Sequence, residues 1–126
     1  MPKVSQNQLS REMEHQIADA LVRTLAKIND EKPLRRFLDN LLTHTEKIML
    51  AKRLMVAVLL QHGYSYGAIC RVLKISKTTV HIIQRELFKS GEGYRKVFSQ
   101  FFKESQGQQV IKAVERILGA SAQIRS

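Results

Sequence analysis

A single cysteine, Cys70, stands in this chain of 126 residues. It leaves no intrachain disulfide and suits a reducing cytosol. Prolines number only two, and the turn signals are spaced for helices rather than for strands. Apolar runs are short. The longest lies within residues 48–60, IMLAKRLMVAVLL, where Lys52 and Arg53 interrupt a stretch already too short to span a bilayer. Residues 1–16 alternate polar and charged types, unlike a signal peptide. The expectation is a soluble, cytoplasmic protein with no membrane partner. The chain also lacks a glycine-rich phosphate loop, carboxylates paired in an evident cleft and a Ser-His-Asp arrangement. His15, His44, His62 and His81 have no metal-ligand spacing and no cysteine beside them. No enzyme, metal or cofactor is therefore expected.

Acidic residues are scarce, 11 against 21 lysines and arginines, for a net charge of +10. The excess is uneven. Residues 1–33 hold five basic and five acidic residues, whereas residues 64–104 hold eight basic and three acidic. A regional excess favours a polyanionic partner, because neutralising phosphates releases counterions and adds sequence-independent affinity. Hydrophobic residues make up 44% of the chain, enough for the core of one domain over residues 1–126.

Helical periodicity runs throughout, so the expected fold is all-α, with about six to seven helices. Residues 5–28 place Leu9, Met13, Ile17, Leu21, Leu25 and Ile28 three and four apart, with Ser5 and Gln8 as a candidate capping box. Asn29 to Pro33 reads as a break, and Leu34 to Leu42 as a second helix through Phe37, Leu38 and Leu41. Thr43 and Glu46 form another candidate capping box. It opens a helix running to about Gln61, stopped by Gly63. This helix is apolar nearly all round and reads as the central, multiply covered helix of the core. Ser90 to Gly93 reads as a loop. Beyond it, residues 94–118 hold a helix striped by Tyr94, Val97, Phe98, Phe101 and Phe102, core or interface by its spacing, and a last helix, Gln108 to Leu118. The tail from Gly119 reads as frayed.

The most informative stretch is 65–87, SYGAICRVLKISKTTVHIIQREL, which reads as a helix-turn-helix. Ser65 caps a short helix with Ile69, Cys70 and Leu73 on one face, making Cys70 a packed thiol. A tight turn follows at Lys74–Ile75. Ser76 caps a second helix that carries Val80, Ile83 and Leu87 inward. Lys77, Thr78, His81 and Arg85 are left outward, and hydroxyl, imidazole and guanidinium groups in one stripe suit base edges and phosphates in a major groove. The two-helix pattern usually has a small residue where Cys70 stands and glycine where Lys74 stands, because the turn calls for a positive φ. The candidate DNA-binding set is Ser65, Lys74, Ser76, Lys77, Thr78, Thr79, His81 and Arg85. Thr78, Thr79 and His81 are assigned to base edges, and Lys74, Lys77 and Arg85 to phosphate. Thr79, beside Val80, is the member whose side chain can turn partly inward. Arg35 and Arg36 read as a solvated pair.

From Phe37 to about Leu87 the chain resembles the Trp repressor-like group of bacterial helix-turn-helix proteins. The resemblance rests on LLTHTEKIMLAKRLMVAVLLQHGYSYGAICRVLKISKTTV, with its Leu-Thr opening, Glu46–Lys47, Arg53, Gly63 and Thr79–Val80. It implies an intertwined homodimer in which residues 5–28 serve dimerisation, residues 34–88 form the helix-turn-helix core, and each subunit lends one recognition helix to a palindromic site on double-stranded DNA. It also implies an effector pocket. In the family's namesake, a threonine and two arginines hold tryptophan, and the matching positions here are Thr43, Arg53 and Ile82. Ile82 has no donor for a carboxylate, so tryptophan is not the expected effector and the effector, if there is one, is unknown. The expected function is a homodimeric, sequence-specific transcriptional regulator, nucleoid-associated in the cytoplasm. A DNA-binding protein of replication, nucleoid or mobile-element type is the alternative, and a helical protein–protein adaptor the third reading, since fold alone does not choose among them.

Overall fold

A computed structural model of the chain describes residues 8–89 and 93–119, without the side chains of Phe88, Tyr94, Phe98, Phe101, Phe102 and Gln106. Among the described residues there are seven helices and no strand, so the fold is all-α. The chain divides into two compact units, Met1–Lys47 and Ile48–Ser126.

In the first unit, α1 spans Arg11–Ala26 and α2 spans Glu31–Leu41. Both differ from the sequence-based bounds for local reasons. Ser5 lies outside the described residues, and the cap of α1 is Ser10, whose Oγ accepts the Met13 amide at 3.1 Å. Glu12 and Glu14 follow in the first turn, where carboxylates suit the helix dipole. The far end tightens through short-range bonds from the Lys27 and Ile28 amides to the Thr24 and Leu25 carbonyls, so the helix stops before Ile28. Pro33 does not break the chain. It sits in the first turn of α2, where its missing N–H would have had no helical partner, and extended Asp30 is the cap residue.

Two ion pairs brace α2. Arg35 donates to Glu31 at 2.8 Å, one turn away, and Lys47 donates to the Asp39 carboxylate. The Lys47 hydrogen bond holds the Asp39 carboxyl below its ordinary value of 3.8, and the Glu31 contact raises the Arg35 guanidinium. Thr43 and Glu46 form the expected capping box: the Thr43 Oγ1 accepts the Glu46 amide at 3.1 Å, and the Glu46 carboxylate accepts the Thr43 amide at 2.9 Å. No residue of α1 or α2 is buried. Met13, Ile17 and Leu21 lie in one stripe, each about half exposed. Among the described residues the first unit therefore has no buried core.

The helix opened by that box, α3 (His44–His62), carries on into the second unit, with α4 (Tyr66–Leu73), α5 (Lys77–Lys89), α6 (Gly93–Lys103) and α7 (Ser105–Leu118). Gly63, at φ 99°, ends α3. Its amide donates to the Leu60 carbonyl and the Tyr64 amide to the Leu59 carbonyl, each at 3.1 Å. These two bonds make a Schellman cap, which needs a left-handed residue. The expectation of an α3 covered on all sides holds only for its second half. Val56, Ala57, Val58 and Leu59 are buried, but Ile48, Met49, Leu50 and Leu54 are 39% to 54% exposed.

The core joins Val56 and Leu59 of α3, Ile69 of α4, Val80 and Ile83 of α5, and Ile111, Val114 and Leu118 of α7. Burying a side chain of this size is worth about 1.5–3 kcal/mol. Cys70 is half-buried against this cluster. Helix α4 packs on both α5 and α7, and α6 packs on α7. The last helix starts three residues before the expected Gln108, with extended Glu104 as its cap residue and the Gln108 amide donating to the Glu104 carbonyl at 3.1 Å. Gly119, at φ 79°, closes it. Residues 90–92 of the expected loop and the tail from residue 120 lie outside the described residues, as do the side chains of the Tyr94, Phe98, Phe101 and Phe102 stripe.

Candidate nucleic-acid interface

Two capped helices build the candidate site. Ser65, in extended conformation, accepts the Ala68 amide on its Oγ at 3.2 Å and starts α4. The turn then depends on Lys74, which adopts φ 57° and ψ 51°, the left-handed geometry that the expected glycine would take without penalty. Its amide bonds the Cys70 carbonyl at 2.9 Å, and the Ile75 amide reaches the same oxygen at 3.4 Å. A lysine in this conformation costs about 1–2 kcal/mol, offset by the burial of Ile69 and Val80 on either side of the turn.

Ser76 starts α5. Its Oγ accepts the Thr79 amide at 3.1 Å and lies 2.9 Å from the Thr79 Oγ1. Thr79 therefore does not turn inward; it is exposed, with its hydroxyl paired to the cap. The inward face is made by Val80 and Ile83, 0% and 4% exposed, with Leu87 packed against them. With the back of α5 seated in this way, Lys77, Thr78, His81 and Arg85 all stand exposed on the other side, as do Lys74 and Ser76. Ser65, half-buried, is engaged chiefly as a cap.

His81 and Arg85 line an open groove of about 500 Å³ together with Gln84 and Lys89. Gln84 and Lys89 were not among the expected residues. Their signal is in the spacing: Gln84 lies three residues after His81, within the span of the recognised stripe, and Lys89 lies four after Arg85, one turn beyond it. Lys89 also meets Glu86 at 3.5 Å. Tyr66, on the first turn of α4, places its ring 6.4 Å from that of His81 at an interplanar angle of 53°, a tilted aromatic contact. Helical periodicity cannot show such a pairing because it joins two helices.

The residues matched to an effector pocket have these settings. The Thr43 hydroxyl is occupied as the cap of α3, Arg53 is exposed on α3, and Ile82 is 42% exposed on α5. Among the described residues no group of three or more histidines, cysteines or carboxylates is placed to hold a metal, and no helix is long and apolar enough to cross a membrane.

The capped two-helix unit, with its left-handed turn and polar outer stripe, lies inside a span of the chain that matches a family model. The family model described as Trp repressor protein covers residues 15–102. The chain belongs to the Trp repressor family. The matched span holds α2 to α5 in full, with most of α1 and nearly all of α6, and it contains every candidate DNA-binding residue. It ends before α7 begins. No curated protein and no solved structure matches the chain. Membership of the Trp repressor family gives the coarse function, that of a DNA-binding regulator.

Proposed function

We propose that this member of the Trp repressor family is a sequence-specific transcriptional regulator that binds a palindromic DNA site as a homodimer, without tryptophan. The observation that carries the reading is the two-faced α5: Val80 and Ile83 fix its back in the core, while Thr78, His81 and Arg85 are exposed in one stripe. A helix so held presents its side chains to the major groove with little left to order on binding. Thr78, Thr79 and His81 read base edges. Lys74, Lys77 and Arg85 meet phosphates, with Arg85 able to reach a base, and Ser65 and Ser76 lie where the capped helix ends approach the backbone.

Dimerisation is assigned to the α1 stripe of Met13, Ile17 and Leu21, whose half-exposed apolar surface calls for a cover. Independence of tryptophan follows from Ile82, which offers no donor to a carboxylate, and leaving such a buried group unmatched costs about 1–3 kcal/mol or more. The protein acts on DNA without catalysis or a metal.

A salt titration of binding to random duplex DNA tests the DNA reading. Affinity should fall steeply as salt rises, in proportion to the phosphates neutralised. Binding that is absent, or that does not change with salt, would leave a protein–protein adaptor as the better reading.

A further inference from the structure

Helix α7 lies wholly outside the span matched to the Trp repressor family, which ends at residue 102. It is nevertheless built into the same core as the helix-turn-helix. Ile111, Val114 and Leu118, at 9%, 4% and 4% exposure, fall three and four apart on one face and join the cluster of Ile69, Val80 and Ile83. Helix α4 packs on α5 and also on α7. Gly107, in the first turn of α7, is buried as well.

From this packing we infer that α7 is an intramolecular lock. It holds α4 against α5 in one arrangement, so the angle of the recognition helix is set within each chain and needs no small molecule. For its functional consequence the inference rests on the DNA-binding reading of α5. The physical reason for a lock is local. Helix α4 has only eight residues, too few to be stable alone in water, and the turn that follows it stores strain at Lys74. A short helix beside a strained turn opens readily unless something covers it. Helix α7 supplies that cover, and Val114 stands near the middle of its buried face.

Hydrogen–deuterium exchange of the full chain, without DNA, tests the lock. Val114→Ala and Ile111→Ala both shorten buried side chains while keeping α7 and its helix propensity. Exchange of α4 and of the 74–76 turn should rise at least tenfold in each variant, with the α3 amides at 56–59 keeping their protection. Affinity for a selected DNA site should fall by about tenfold in parallel. If α4 exchange is unchanged, or rises only in step with the α3 amides, α7 is an ordinary part of the core and the lock is overturned. Failure of the DNA-binding reading shows separately, as an unmodified protein that binds no DNA, and the exchange result still decides the lock.

Discussion

Lys74 combines two demands at one position. Its backbone takes a conformation that favours glycine, and its side chain supplies a cation at the edge of the proposed interface. Lys74→Gly is therefore expected to stabilise the fold by about 1 kcal/mol, read as a raised melting temperature. The same change should lower the salt slope of DNA binding by about one unit. Lys77→Ala should weaken all sequences alike and also lower the slope by about one. His81→Ala should cost about 1–3 kcal/mol on the preferred site and relax specificity there. A Lys77→Ala protein with an unchanged slope and an altered sequence preference would reverse these assignments. Asp39 gives a pH test. Its carboxyl is lowered by the Lys47 hydrogen bond, so the contact stabilises the first unit above the ordinary value of 3.8 and is lost as pH falls through the lowered value. Asp39→Asn should remove that part of the acid sensitivity, as followed by helical circular dichroism. The caps at Thr43, Ser65 and Ser76 and the inward positions Val80 and Ile83 were legible in the sequence because each depends on spacing within one helix. The Tyr66–His81 contact was not, because it depends on how α4 crosses α5.

Among the helices, α3 to α5 were read most accurately and α1 and α2 least. The capping box at Thr43 and Glu46 and the glycine at 63 mark both ends of α3 by local hydrogen bonding. Pro33 misled because a proline in the first turn and a proline that breaks a helix look alike in sequence. The apolar all-round pattern of α3 predicts a helix covered on all sides, yet only Val56 to Leu59 are buried, and Ile48, Met49, Leu50 and Leu54 stay exposed. The same holds for α1, a striped helix with no buried residue. Its stripe is the surface that a second copy is proposed to cover. Deleting residues 1–30 should accordingly give an unstable or aggregating product. A well-folded truncated monomer, by light scattering and circular dichroism, would remove the argument for dimerisation through α1.

The protein as a regulator stands on a charge distribution, a capped two-helix motif and a family match that agree with one another. Net charge of +10, densest around the motif, supplies attraction to DNA of any sequence, while α5 is proposed to supply discrimination. The departure at Ile82 bears on regulation: an effector shifts an equilibrium only by its differential affinity for the two states. Calorimetric titration with L-tryptophan up to millimolar concentration should show no saturable binding, and DNA affinity should be the same with and without it. Micromolar binding together with tighter DNA binding would mean that another donor replaces the missing arginine, and Lys52 and Arg85 would be the first to substitute. The most direct measurement is selection of binding sites from random duplex DNA by the purified, ligand-free protein. Enrichment of one palindrome, bound about 10³-fold or more tightly than random sequence, is the expected result. Equal affinity for the selected and the random pools would contradict sequence-specific recognition by α5.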